Sequence, residues 1–240
     1  MNQTDTLLPI KACIFDMDGL LINTEQLYTE VTNELLARYN KPKLSIEVKT
    51  QIMGIPGLEA TKILIKSYEI EESAEKLYKE AGELQKKKFL ETKEMPGSYM
   101  VLKYLKDQGI PIVLATSSSI RNFHIKTNHL SHIFSHFGEN IVRGDDPRIP
   151  KGRGKPAPDI YLTALNIINN ERKSKSLEPI TSKEYSILGV QAGRSAGMRV
   201  IWVPEPDILK YFEEKKEEII GTNNEILSSL ENFNPKKYGL

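Results

Sequence analysis

Ile10-Lys11-Ala12-Cys13-Ile14-Phe15-Asp16-Met17-Asp18-Gly19-Leu20-Leu21 governs how the rest of the chain is read. A short apolar run stops at two acids spaced i, i+2, and a glycine follows at once. Apolar runs of this length, bounded by polar turns, mark strands buried in a parallel sheet. On an extended backbone, side chains at i and i+2 fall on the same side, and a glycine after them lets the chain turn sharply. In open α/β sheets, ligands bind beyond the carboxyl ends of the strands. The stretch therefore predicts a first strand that delivers Asp16 and Asp18 to a ligand site. The plain alternative is an acidic loop after a strand; the flanking apolar run and glycine weigh against it.

Two further runs repeat the pattern. Ile110-Pro111-Ile112-Val113-Leu114-Ala115 ends at Thr116-Ser117-Ser118-Ser119, and Arg199-Val200-Ile201-Trp202-Val203 ends at Pro204. Helix-like spacing surrounds them, as in Tyr99–Lys106 before Gly109. Strands alternating with helices predict an α/β sheet with crossover helices. The stretch 24–93 differs: Leu27, Val31, Leu35, Leu36, Leu77, Leu84 and Phe89 recur at helical spacing, no strand stands out, and Met95-Pro96-Gly97 punctuates its end. It reads as a helical insertion, so 1–23 and 94–240 form the core and 24–93 a separate helical unit. The charged run Glu171–Ser176 reads as a solvated loop, and Glu213–Glu218 as a charged helix face.

Composition narrows the function classes. In 240 residues, 33 Lys and Arg face 32 Asp and Glu, leaving a formal charge of +1. That balance argues against nucleic acid as a partner, because phosphate backbones are met by clustered basic excess. No window approaches the ~20 apolar residues of a membrane span, and no obligate protein partner is evident. The single cysteine, Cys13, cannot form an internal disulfide, and the first residues carry no basic-then-apolar leader, so a cytoplasmic location is expected. The Asn2-Gln3-Thr4 glycosylation match then has no meaning.

Four stretches in order carry a family resemblance. Ile14-Phe15-Asp16-Met17-Asp18-Gly19 resembles the first motif of the haloacid-dehalogenase-like phosphohydrolases. Thr116-Ser117-Ser118 resembles the second, Gly154-Lys155-Pro156-Ala157-Pro158-Asp159 the third, and Gly189–Met198 the helix after the fourth. Within the family, Leu20-Leu21, Val48-Lys49, Met53-Gly54 and Gly144-Asp145-Asp146-Pro147 are most similar to the pseudouridine-5'-phosphatases. The resemblance implies a Rossmann-like parallel-sheet core with an inserted α-helical cap at 24–93. It also implies a phosphatase acting on a small phosphorylated metabolite, a nucleoside or sugar monophosphate. Asp16 would attack phosphorus and form an aspartyl-phosphate, and Asp18 would act as acid and base. Mg²⁺ would take an Asp16 oxygen and the Asp18 backbone carbonyl. Thr116, the Ser117 N–H and Lys155 would hold phosphate oxygens. Thr116 is further expected to cap the following helix. Gly54 either lets a cap loop approach the substrate or simply ends a helix. Asp16 has to reach a solvent-accessible cleft for any of this to hold.

One segment departs from the family pattern. A buried strand ending in an acidic pair normally precedes Ser186, and those acids complete the metal site. Here Lys183-Glu184-Tyr185 stands there: Glu184 can represent the first acid, and Tyr185 occupies the position of the second. An interior strand with its acids is therefore expected to be missing, either from the molecule or from the sequence as written. Two alternatives follow: a sugar phosphomutase of the same fold, or a non-catalytic binding protein. Three other signals are set aside. His129, His132 and His136 invite a zinc site, but no fourth ligand lies nearby and apolar residues share the segment. Lys151–Lys155 looks like a phosphate loop, yet Pro156 stands where Ser or Thr is required. Cys13 reads as a packed apolar residue of the first strand.

Overall fold

The computed structural model describes residues 10–179, 183–185, 189–222 and 224–240, with 183–185 and Gly189 described by backbone alone. The apolar run of the opening stretch forms β1 (Cys13–Phe15). Four helices follow: α1 (Thr24–Arg38), α2 (Ile46–Ile52), α3 (Gly57–Tyr68) and α4 (Ala74–Lys88). The chain then continues through α5 (Ser98–Asp107), β2 (Ile112–Ala115), α6 (Ile120–Thr127), α7 (Ser131–Phe134) and β3 (Ile141–Val142). It ends with α8 (Asp159–Ser174), β4 (Lys183–Tyr185), α9 (Gly189–Ser195), β5 (Arg199–Trp202), α10 (Pro206–Tyr211), α11 (Lys216–Ile220) and β6 (Glu225–Ile226).

Among the described residues the strands form one parallel sheet in the order β3-β2-β1-β4-β5-β6. The chain builds outward from β1 to one side, then returns to build the other side from β4. The carboxyl ends of β1 and β4 thus border the point where strand order reverses, the usual place for a ligand crevice. Alternation along the strands divides the core into two layers. Cys13, Phe15, Ile112 and Leu114 pack with Leu102 and Leu105 of α5 and Phe123 of α6. Ala12, Ile14, Val113 and Ala115 pack instead on Ile160, Tyr161, Ala164 and Ile168 of α8. Burial of a large apolar side chain such as Phe15 contributes roughly 1.5–3 kcal/mol, so these two layers hold the sheet.

Helices α1–α4 have a core of their own, built largely from Val31, Leu35, Leu36, Leu64, Ile70, Leu77 and Leu84. This is the helical cap on a Rossmann-like α/β core. Ile46 and Met53 of the α2 region reach over to Trp202, Val200 and Ile208. Lys49 pairs with Glu205 at 2.5 Å across the same boundary. The two connections to the cap run side by side: Asn23 N donates to Lys93 O at 3.0 Å, and Lys93 N to Asn23 Oδ1 at 2.7 Å.

Several expectations need correction. The interior strand is not missing, because Lys183–Tyr185 occupies its place, with Ile14 beside Glu184 and Phe15 beside Tyr185. A ladder is made by backbone groups, which any sequence supplies, and β1 and β5 both need a partner. Glu171–Ser174 is the last turn of α8, not a loop. The run Glu213–Glu218 is split between a 3-10 turn (Glu213–Lys215) and α11. His129, His132 and His136 share no helix face, since α7 is only Ser131–Phe134. They bond separately to Thr92 O, Glu94 and Ile133 O. Cys13 is fully buried, and burial pushes its thiol up to about 12, so it stays an unreactive packing group.

Candidate active site

The carboxyl end of β1 opens into a tight loop. Leu20, Leu21 and Ile22 all direct their N–H groups to Met17 O, and Gly19 N donates to Ile22 O at 2.9 Å. Gly19 has φ +75°, and a Cβ there would lie 2.7 Å from Glu25 Cγ, so only glycine fits both the turn and the space. The turn throws Asp16 and Asp18 forward. Asp16 Oδ1 accepts from Met17 N at 2.8 Å and lies 3.1 Å from Lys155 Nζ. Its side chain keeps 10% of its surface exposed, against 19% for Asp18. Asp16 is thus more covered than an open cleft would leave it.

The end of β2 supplies the next groups. Thr116 is fully buried and Ser117 exposed. Thr116 Oγ1 accepts from Ser118 N at 3.1 Å and donates to Asp18 Oδ2 at 3.4 Å. Thr116 does not cap α6; Ser119 does, accepting from Asn122 N. Three residues lie between Thr116 and the helix, so the threonine hydroxyl stays with the loop. Gly144 presses on this loop, donating its N–H to Ser118 O at 3.0 Å. A Cβ on Gly144 would stand 2.2 Å from Ser117 O. Lys155 arrives from the loop before α8, donates to Ala115 O at 3.1 Å and lies over the Tyr161 ring at 4.5 Å. Its ammonium joins the end of β2 to the Asp16 carboxylate.

Asp18 has the denser set of partners. Oδ1 accepts from Thr24 Oγ1 at 2.7 Å and from Lys126 Nζ at 2.5 Å, and Oδ2 accepts from Ser118 Oγ at 3.0 Å. Burial alone would push this carboxyl up; the Lys126 ammonium and these hydrogen bonds outweigh it and hold it below the ordinary range. Burial likewise disfavours the Lys126 ammonium, and Asp18 overturns that as well. Glu25, packed over Gly19, is pushed up to about 7, first by burial, then by the charges of Asp18 and Glu205.

The fold therefore brings Asp16, Asp18, Thr116, Ser117 and Lys155 to one place. Gly54 is exposed at φ +70° just past the Met53 end of α2, the geometry of a helix-ending glycine, and Met53 beside it packs toward Trp202 of the core. Glu184 has its backbone in β4, two residues short of the level of Asp16, and its side chain lies outside the described residues. Asp145 is tied to Ile120 N and Asp146 to Arg148, so neither turns toward the aspartates. Sequence reasoning missed Lys126, Thr24 and Ser118. For Lys126 a signal existed: Phe123, Lys126, Thr127 and Leu130 recur at i, i+3, i+4, i+7, a stripe that buries a lysine.

Mg²⁺ prefers oxygen donors in an octahedral arrangement. Among the described residues no three His, Cys, Asp or Glu gather to hold a metal. Mg²⁺ nevertheless is commonly held by one or two carboxylates together with substrate phosphate and water. The Asp16 carboxylate at the carboxyl end of β1 is a donor of this kind.

The chain matches the haloacid dehalogenase-like hydrolases over residues 13–203 and belongs to that family. It is a phosphomonoester hydrolase of the family. A probable pseudouridine-5'-phosphatase of Saccharomyces cerevisiae is 43% identical, over 96% of this chain and 98% of its own length. A (DL)-glycerol-3-phosphatase of Arabidopsis thaliana is 36% identical, over 95% and 90%. A solved structure described as a putative beta-phosphoglucomutase from Thermotoga maritima superposes with a TM-score of 0.64, at 28% identity, covering 96% of this chain and 97% of the other. These relatives carry enzyme names, so the comparisons do not favour the non-catalytic alternative. Among the described residues, no helix is long and apolar enough to cross a membrane.

Proposed function

We propose that the chain removes the phosphoryl group from a small phosphorylated metabolite, a nucleoside or sugar monophosphate, through a covalent intermediate on Asp16. Pseudouridine 5'-phosphate is the first substrate to test, since a relative with that name matches along nearly the full length. We assign 24–93 to the cap and the remainder to the core. The observation that carries the reading is the pairing of Asp16 with the buried Lys155 ammonium, 3.1 Å apart, beside Thr116.

A phosphate monoester repels an approaching carboxylate, because its oxygens are negative. Lys155 supplies a fixed positive charge against them, and the Thr116 hydroxyl and Ser117 N–H orient the oxygens. An Asp16 oxygen forms a bond to phosphorus as the bond to the leaving oxygen breaks. Asp18 donates the proton that the leaving oxygen takes, then accepts one from the water that attacks the acyl phosphate. Phosphate leaves and Asp16 is restored. Mg²⁺, held by Asp16 and the Asp18 carbonyl with Glu184 as the proposed further ligand, would supply charge neutralisation at the phosphate. With Asp16 largely covered, entry of substrate requires the groups around it to open.

The test is a screen of phosphorylated metabolites for phosphate release in the presence of Mg²⁺. Release from pseudouridine, sugar or polyol monophosphates supports the reading; inertness toward every monoester overturns it.

A further inference from the structure

Lys126 stands apart from the groups that chemistry at phosphorus requires. It lies on α6 in the core, and its side chain is fully buried. A buried ammonium is stable only when paired and hydrogen-bonded. Its partners are Asp18 Oδ1 at 2.5 Å, Ser118 Oγ at 3.0 Å and Tyr28 Oη at 3.2 Å. Two aromatic faces complete the enclosure, with Nζ 5.0 Å from the centre of Tyr28 and 4.6 Å from that of Phe89. Tyr28 belongs to the first turns of α1, and Phe89 to the 3-10 turn Phe89–Glu91 that ends the cap. The two rings meet edge to face at 5.1 Å. Both connections between cap and core therefore converge on one core ammonium, and that ammonium holds the Asp18 carboxylate.

The two oxygens of Asp18 are treated differently. Oδ1 is taken by Thr24, at the base of the cap, and by Lys126 of the core. Oδ2 faces the hydroxyls of Ser118 and Thr116, the side where the phosphate would lie. Fixing Oδ1 leaves Oδ2 as the oxygen aimed at the reacting groups.

We propose that Lys126 is a positioning residue that sets the Asp18 carboxyl group for proton transfer and ties that setting to the base of the cap. The assignment rests on the phosphatase reading. In both half-reactions the proton moves between Asp18 Oδ2 and an oxygen on phosphorus or water, while Lys126 keeps its own protons and only holds the rotamer. A misplacement of about 1 Å in such a group costs up to ~10²-fold in rate.

The test separates proton transfer from attack on phosphorus. An aryl monoester such as p-nitrophenyl phosphate expels its leaving group without a proton, whereas glycerol 3-phosphate needs one. Phosphoenzyme trapped by acid quench is compared with steady-state phosphate release for wild type, Lys126→Met and Tyr28→Phe. In Lys126→Met, the aryl ester is expected to load the enzyme within about threefold of the wild-type rate. Phosphoenzyme then accumulates, and phosphate release falls at least about tenfold, part of the ~10²–10⁴ that a proton-transfer group contributes. Loading from glycerol 3-phosphate falls by a similar factor. Tyr28→Phe, which deletes one hydroxyl, shows the same pattern more weakly. Equal losses in both esters and both steps, or no loss at all, overturn the assignment. If Lys126→Met fails to fold, Tyr28→Phe decides by the same criterion. A wild type that forms no phosphoenzyme from either ester sinks the phosphatase reading and this assignment together. A wild type that does, beside variants with unchanged ratios, sinks the assignment alone.

Discussion

Asp16 and Asp18 are two residues apart, yet each has its own ammonium: Lys155 lies beside the first and Lys126 beside the second. Asp16→Asn keeps the side chain's acceptor oxygen for Met17 N and removes the nucleophilic oxygen. It should abolish phosphate release while the emission of Trp202, the single tryptophan and fully buried, still reports a folded core; appreciable turnover in this variant removes Asp16 from its role. Glu25 offers a test through pH. Its pKa rises from 4.5 to about 7 on folding, which corresponds to a cost of up to ~3 kcal/mol. An acid raised in the folded state costs nothing below pH 4.5, where both states are protonated. The cost grows with pH and is complete above about 7. Glu25→Gln should therefore melt several degrees above wild type at pH 8, at about 2–4 °C per kcal/mol for this size, and level with it near pH 4.5. Equal melting at pH 8 contradicts the cluster of Glu25, Asp18 and Glu205.

At the scale of elements, the site depends on two close approaches. Gly144→Ala would drive a methyl group into Ser117 O, so the loop after β2 must shift. Its expected signature is a fall in kcat/KM of at least tenfold with Trp202 emission unchanged, since the clash lies at the phosphate-orienting groups; unaltered kinetics would separate that loop from the substrate. The Lys49–Glu205 pair joins the cap to the core, and both side chains are mostly buried. Lys49→Met leaves the Glu205 carboxylate without its partner, at a cost of order 1–3 kcal/mol against the closed cap. A several-fold higher KM is expected, and an unchanged KM would show that closure does not depend on this pair. The sequence disclosed the elements that obey a strong pattern. Cys13–Phe15 and Ile112–Ala115 are apolar throughout, Arg199–Trp202 is apolar after its arginine, and each is followed by a polar residue or proline within two positions. It concealed β4, because Lys183–Tyr185 has no strand-like composition and is held by its neighbours' backbone groups. For Lys126 the helical stripe marks burial, but its role stayed hidden, because its partners Asp18, Tyr28 and Phe89 are distant in sequence.

For the whole molecule, near-neutral charge and a helical cap with an apolar cluster of its own agree with a small-molecule enzyme. Mg²⁺ shared between Asp16 and substrate phosphate predicts a specific dependence. Chelation should stop phosphate release, and added Mg²⁺ should restore it without changing the melting temperature of the free protein by more than a degree or two, because a weakly held ion adds little by mass action. Full activity in excess chelator would refute a required cation. The central claim is the bond between Asp16 and phosphorus, and the most direct measurement is mass spectrometry of acid-quenched enzyme during turnover. The account predicts one phosphoryl group on the peptide containing Asp16, absent from Asp16→Asn; a phosphoryl group on any other residue, or active enzyme that never carries one, would contradict it.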